Sequence, residues 1–167
     1  MSTIVTYIMN FSIAAFFRLF VAYLIAVLVA YSATSFSQSL CVLVALEDAG
    51  AEIPLALWAH TLWYDSIHLA FGGHFFSYAI IIMIGFIVAL PTAAFVRKLS
   101  GLPEILLYPS AGATAMATQD YIFDAYLYDL SFSLGTRGVT GLTLLLLSGA
   151  VGGLAFLITI KHKRIFS

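Results

Sequence analysis

Long apolar runs separated by short polar clusters follow one another along this chain. The first run, from Ile4 to about Leu46, contains Arg18 as its only charged residue. Another run, from residue 75 to 96, contains no charged residue at all. Because about 20 residues cross the hydrocarbon core of a bilayer as a helix, the pattern predicts transmembrane helices. We place four spans at about residues 18–38, 75–96, 103–123 and 138–160.

The segment between the first two spans is more mixed in polarity. Gly50 and Pro54 indicate a turn, and the residues that follow combine aromatic, polar and apolar side chains. Proline is favoured at the first position of a helix, and amphipathic aromatics concentrate at headgroup depth. We therefore predict an interfacial helix at about residues 54–71. Its expected anchors are Trp58, Trp63 and Tyr64.

Composition supports a membrane protein and excludes an ordinary soluble domain. Hydrophobic residues make up 62% of the chain and charged residues 9%, with a mean hydropathy of +1.05. A soluble domain carries about 25% charged residues, which it needs to cover a surface in water. The 167 residues leave room for four spans. The predicted fold is therefore an all-α, integral membrane four-helix bundle forming a single domain.

Charge also limits the partners and orients the helices. A net charge of −1 offers no basic field for nucleic acid, and a single cysteine, Cys41, excludes an internal disulfide. The connections after the first and third spans are acidic, with one base, Arg137. The other bases fall on the opposite side: Arg18, Arg97, Lys98, Lys161, Lys163 and Arg164. The positive-inside rule then predicts that both termini are cytoplasmic.

Small residues are concentrated in the third and fourth spans, where they predict close helix packing. Helices in lipid associate through close backbone approach between such residues. The expected packing residues are Ser148, Gly149, Gly152 and Gly153 in the fourth span and Ser110, Gly112 and Thr114 in the third. One interpretation is that these two helices pack together within the bundle. The other is that one of the faces accepts a helix from another protein. The isoleucine-rich second span is suited to lipid or to a large apolar partner.

Metal-capable residues cluster at the outer side of the predicted bundle. They are His60, Asp65, His68 and His74. Two histidines and a carboxylate suit Zn²⁺ or Cu²⁺, whereas anchoring at the interface is the structural alternative. The predicted spans lack a central histidine, so the sequence does not favour haem bound by this chain alone. We predict no cofactor, with metal or haem as the less favoured alternative.

Arg137 is the one base on the acidic side. We expect it to pair with outer-loop carboxylates such as Asp120 and Asp124, or to bind a lipid headgroup. No charged residue falls at mid-depth in a predicted span, which weighs against a proton relay or a coupled transporter. The sequence also lacks a nucleophile–base constellation, a phosphate loop or an HExxH motif. The chain is therefore predicted not to be an enzyme.

Several segments resemble a family of small bacterial four-helix inner-membrane proteins of uncharacterised function. The similar segments are RLFVAYLIAVLVAYS in the first span, YPSAG in the third, and TRGVTGLTLLLLSGAVGGLAF through the fourth. Asp65, ahead of the second span, is a further similarity. The resemblance implies a location in the bacterial cytoplasmic membrane. It implies no activity.

These observations lead to one main functional hypothesis and two alternatives. The main hypothesis is a non-catalytic accessory subunit that packs against other membrane protein subunits and binds phospholipid. The first alternative is a small homo-oligomeric channel or carrier, suggested by the polar residues Ser110, Thr114 and Thr118 at four-residue spacing. The second is a redox subunit that binds metal or haem through the outer histidine cluster.

Overall fold

A computed structural model describes residues 2–71, 78–126 and 138–162 of the chain. Within these ranges the chain forms five helices and no strands, which confirms the all-helical prediction there. The helices are α1 (Ser2–Asp48), α2 (Leu55–Phe71), α3 (Tyr78–Ser100), α4 (Glu104–Tyr126) and α5 (Val139–His162). Three segments are long and apolar enough to cross a membrane: Ala15–Asp48, Tyr78–Ser100 and Val139–Lys161. They support the prediction of a membrane protein with transmembrane helices.

Helix α1 is much longer than the predicted span at residues 18–38. Its 47 residues correspond to about 70 Å at 1.5 Å per residue. The sequence contains neither glycine nor proline between Ser2 and Asp48, so nothing in it interrupts the helix. Gly50 then ends it in a left-handed conformation with φ of 90°. Its N–H donates to the carbonyl of Glu47 at 2.8 Å, as at many helix C-termini.

The other helices begin and end close to the predicted positions. Pro54 and Pro103 each precede the first residue of a helix, and their carbonyl oxygens accept the first backbone hydrogen bonds of α2 and α4. Gly101 adopts a φ of 66° directly after α3, where only glycine is unstrained. α4 is not among the three candidate spans, because its small and polar residues make it the least hydrophobic of the described helices.

Contacts of α4 with its neighbours define the arrangement of the bundle. α5 packs extensively against both α1 and α4, and α3 packs against α4. Fully buried side chains between these helices include Ile82, Phe86, Met116 and Leu145. The second predicted span therefore does not present all its large residues to lipid: Ile82 and Phe86 face the core, whereas Ile84 and Ile87 are exposed.

Candidate functional site

α4 and α5 approach each other so closely that glycines on the two helices meet backbone to backbone. A Cβ atom built on Gly112 would overlap the carbonyl oxygen of Gly149, and one built on Gly149 would overlap the carbonyl oxygen of Gly112. One turn further along, a Cβ on Gly153 would overlap the carbonyl oxygen of Tyr108. The pairs 112/149 and 108/153 run in opposite directions along the chain, so α4 and α5 are antiparallel. Only glycine allows backbones this close.

The remaining small residues of α5 face a different helix or their own. A Cβ on Gly152 would lie 2.7 Å from the Cβ of Ala30 and 3.0 Å from the carbonyl oxygen of Ala26, both on α1. Ser148 is buried, and its hydroxyl donates to the carbonyl of Leu144 at 2.8 Å. Three glycines of α5 thus divide between two neighbours, with Gly149 and Gly153 toward α4 and Gly152 toward α1.

An open groove of about 700 Å³ lies between α3 and α4. Its lining runs from Ile81 to Val96 on α3, which is about 22 Å along the helix. The α4 wall consists mainly of small residues: Ser110, Ala111, Thr114, Ala115 and Thr118. On the α3 wall, the branched apolar residues Ile81, Ile84, Val88 and Val96 alternate with small ones such as Gly85, Ala89 and Ala93. The groove is therefore long and mainly apolar.

Three hydroxyl residues on α4 form the predicted polar stripe, and all three line the groove. The hydroxyl of Thr114 donates to the carbonyl of Ser110 at 2.9 Å, and that of Thr118 to the carbonyl of Thr114 at 2.8 Å. The hydroxyl of Ser110 donates to the carbonyl of Leu107 at 3.0 Å. Because these donors are satisfied within the helix, the stripe presents mainly methyl and methylene groups and oxygen lone pairs to the groove.

The end of the groove near the start of α3 contains a side-chain contact that the sequence pattern did not reveal. The amide nitrogen of Gln119 on α4 donates to the carbonyl of Ile81 on α3 at 2.8 Å. Gly85 makes room for it, since a Cβ at this position would overlap the Gln119 amide. The amide oxygen of Gln119 is buried and accepts no hydrogen bond from the part of the chain that the structure describes. A glycine within an isoleucine-rich span was the one available signal of a close approach.

Helix α2 is attached to the C-terminal half of α1 by a series of polar contacts. Tyr31 donates to the carbonyl of Ser66 at 2.5 Å, and the hydroxyls of Ser35 and Ser66 lie 3.3 Å apart. Ser39 donates to Asp65 at 2.8 Å. Together with the contact of Trp58 and Glu47 described below, these pairs show that α2 runs antiparallel to α1. The predicted interfacial helix therefore packs along α1 through buried polar groups.

The residues predicted as interfacial anchors differ in their surroundings. The indole N–H of Trp58 donates to Glu47 of α1 at 3.2 Å. Trp63 is 72% exposed, and Tyr64 is 49% exposed. The α2 surface that faces away from α1 is thus aromatic and open.

The predicted metal-binding residues on α2 form an aromatic stack. The ring of Tyr64 lies between those of His60 and His68, with centroid distances of 5.9 and 3.7 Å. Asp65 faces Ser39 of α1 instead. Among the described residues, no three metal-capable side chains come together. His74 lies outside the described residues, so a metal site that includes it stays a prediction.

At the opposite end of the bundle, one carboxylate joins three helices. Glu104, the first residue of α4, pairs with Arg97 near the end of α3. Its second oxygen lies 3.0 Å from the amino group of Lys161 near the end of α5. The side chain of Glu104 is only 16% exposed, whereas those of its two partners are about half exposed. Glu104 lies seven residues after Arg97 and 57 residues before Lys161, so the sequence pattern does not predict that it contacts both.

Arg137 is predicted to pair with Asp120 and Asp124, and the structure describes little of this group of residues. Arg137 itself lies outside the described residues, as do the side-chain atoms of Asp124. Asp120 interacts electrostatically with Tyr78, whose hydroxyl accepts a hydrogen bond from Gln38 of α1 at 3.4 Å. Pairing of Arg137 with these carboxylates, or with a lipid headgroup, stays a prediction.

Comparison with known proteins adds no functional assignment to this geometry. The chain matches no family model, no curated protein and no solved structure. Function is therefore inferred from the arrangement of the chain's own residues.

Proposed function

We propose that this protein is a non-catalytic accessory subunit of a larger membrane complex, and that the groove between α3 and α4 receives a transmembrane helix of a partner subunit. The observation that carries the proposal is the groove itself, which is lined mainly by small residues on its α4 wall and by small and branched apolar residues on its α3 wall. Small residues on an exposed helix face allow a second backbone to approach closely, and such faces drive helix association in lipid.

The length of the groove favours a helix over a lipid acyl chain as its occupant. The groove lining extends for about 22 Å along α3, whereas one leaflet provides only about half of a 30 Å hydrocarbon core. A lipid from one leaflet would fill part of the groove. A helix of about 20 apolar residues would fill all of it. The occupant is therefore expected to be apolar, to span the bilayer and to carry small residues where it meets the α4 wall.

A site-specific cross-linking experiment tests the occupant directly. A photoreactive residue at Thr114, on the α4 wall, is expected to cross-link to a membrane protein in native membranes. The matched control is Thr143 on α5, which is also exposed and whose hydroxyl donates to its own helix at 2.8 Å. Position 143 should give lipid adducts without the same protein adduct.

A substitution at the same two positions provides a second readout. Thr114→Leu fills the groove and should abolish co-purification of the cross-linked partner after mild extraction. Thr143→Leu should leave the partner bound. Purification of the wild-type chain without any other protein, together with only lipid adducts at Thr114, would overturn the proposal.

A homo-oligomeric channel or carrier is the second candidate, and the exposed stripe of Ser110, Thr114 and Thr118 is the observation that favours it. The oxygen lone pairs of the stripe could face a pore between copies of the chain. Cross-links from Thr114 to a second copy, together with flux through reconstituted protein that Thr114→Leu reduces, would favour this candidate. Unchanged flux through the Thr114→Leu variant would indicate that the stripe serves helix packing only.

A redox subunit ranks third. Within the described residues, the stack of His60, Tyr64 and His68 brings no third metal ligand to the two histidines. Metal analysis and a visible absorption spectrum of the purified protein test this candidate. Copper, zinc or haem that is bound by the wild-type protein and lost in His68→Ala would favour the redox-subunit candidate.

We further propose that four helices span the bacterial cytoplasmic membrane with both termini on the cytoplasmic side. Arg97, Lys98 and Lys161 gather at one end of the bundle around Glu104, in accord with the positive-inside rule. α4 packs between α3 and α5, which supports a fourth span despite its lower hydropathy. A reporter fused after Arg164 should be active in the cytoplasm, and periplasmic activity would contradict this topology.

A further inference from the structure

We infer that the basic end of the bundle contains a binding site for the phosphodiester group of an anionic phospholipid. The site is the turn between α3 and α4, where a hollow of about 680 Å³ opens to the surface. Its lining consists of Arg97, Lys98, Gly101, Leu102, Pro103 and Glu104. This inference does not depend on a partner subunit in the α3/α4 groove.

The charges around the hollow leave positive charge available to a ligand. Glu104 is shared between Arg97 and Lys161, so one carboxylate offsets two cations. Lys98 adds a third positive charge to the lining of the hollow. The side chains of Arg97 and Lys161 are 47% and 57% exposed, so their remaining N–H donors are accessible. A guanidinium with free donors is well suited to two phosphate oxygens at once.

Glu104 also holds these donors in position. It is itself mostly buried, and it connects the ends of α3 and α5 to the start of α4. A cation already held by a carboxylate loses less side-chain entropy when a second anion binds. Glu104 has an opposing effect as well, because its negative charge repels a phosphate. Substitution of Glu104 therefore shows which of these two effects on phosphate binding is the larger.

Apolar residues next to the hollow distinguish a lipid from free phosphate. Leu102 lines the hollow and is 49% exposed. Ile105 and Leu106, in the first turn of α4, are each 62% exposed. A phospholipid whose phosphate contacts Arg97 and Lys98 can place its acyl chains against these side chains. Free phosphate would gain nothing from them.

Native mass spectrometry of the full chain in detergent tests the site, with phosphatidylglycerol and phosphatidylcholine of identical acyl chains as probes. A base near an anionic surface contributes about 1 kcal/mol, which corresponds to roughly 5-fold in affinity. Arg97→Gln and Lys98→Gln should each weaken phosphatidylglycerol binding by roughly this factor, with a smaller effect on phosphatidylcholine. Arg97→Lys, which keeps the charge, should bind more tightly than Arg97→Gln.

Two further variants complete the design. Arg18→Gln removes an exposed base that is not part of the hollow, and it should leave phosphatidylglycerol binding at the wild-type level. Glu104→Gln removes the negative charge that repels a phosphate, so it should strengthen phosphatidylglycerol binding by roughly 5-fold. Equal losses from Arg18→Gln and Arg97→Gln would overturn the inference, since binding would then follow total charge.

Inorganic phosphate is the last probe, and it distinguishes a site for a phospholipid from a site for free phosphate. It should fail to displace phosphatidylglycerol, because it cannot contact Leu102, Ile105 and Leu106. Displacement by inorganic phosphate at concentrations comparable to those of the lipid would overturn the assignment to a phospholipid. Thermal unfolding of each variant establishes that it is folded when its binding is compared.

Discussion

Gly112 and Gly149 meet backbone to backbone, each occupying the space that a Cβ atom of the other would need. Gly149→Ala must therefore separate α4 from α5, although alanine is the better helix former by about 1 kcal/mol. We expect a net destabilisation of about 2 kcal/mol, typical of overpacked cores. Thermal unfolding in detergent measures it, with the exposed Val151→Ile as control. An unchanged melting temperature for Gly149→Ala would contradict the observed contact.

The contact between Gly85 and Gln119 predicts strong non-additivity. Gly85→Ala displaces the Gln119 amide and breaks its hydrogen bond to Ile81, so we expect a loss of about 1 kcal/mol. In a Gln119→Ala background the added methyl group meets no amide, and Gly85→Ala should be neutral or stabilising. A double-mutant cycle on the free energy of unfolding measures the coupling. Additive effects would show that the two residues do not share this space.

The Gln119 contact also shows what the sequence could not reveal. A long apolar run predicts a helix because its length and hydropathy are local properties, and α3 lies close to its predicted position. Which face of that helix a neighbour covers depends on partners distant along the chain. Gln119 and Ile81 are 38 residues apart, and neither stands out in its own segment. The spacing of small residues indicates that α5 packs closely against its neighbours. It does not predict that Gly149 faces α4 whereas Gly152 faces α1.

The packing of α2 against α1 could likewise not be predicted from the local sequence pattern. Aromatic residues around Pro54 predict an amphipathic helix, and α2 begins at Leu55. The polar side chains that attach it to α1 are Tyr31, Ser35 and Ser39, which lie at four-residue spacing within an apolar run. Such residues often donate to their own helix backbone, as Ser32 does. Only the position of α2 shows that this stripe serves an interhelical contact.

The packing of α2 along α1 predicts a specific cross-link. In a Cys41→Ser background, Ser35→Cys and Ser66→Cys should form a disulfide on mild oxidation, because their hydroxyl oxygens lie 3.3 Å apart. The matched pair is Ser32→Cys with Ser66→Cys, since Ser32 is exposed and bonds only to its own helix. Mass spectrometry after proteolysis detects the bridge. Equal cross-linking of both pairs would indicate that α2 is not held in this register.

The ion pairs of Glu104 connect the start of α4 to the ends of α3 and α5 and are expected to stabilise the folded protein. Glu104→Gln removes both ion pairs, and because Arg97 and Lys161 are each about half exposed, water screens much of the attraction. The expected loss of stability is therefore about 1 kcal/mol at low salt and smaller at high salt. Glu52→Gln, at an exposed position of the opposite connection, should change stability less than that at either salt concentration. The salt dependence is decisive, since loss of packing alone would destabilise the bundle equally in both buffers.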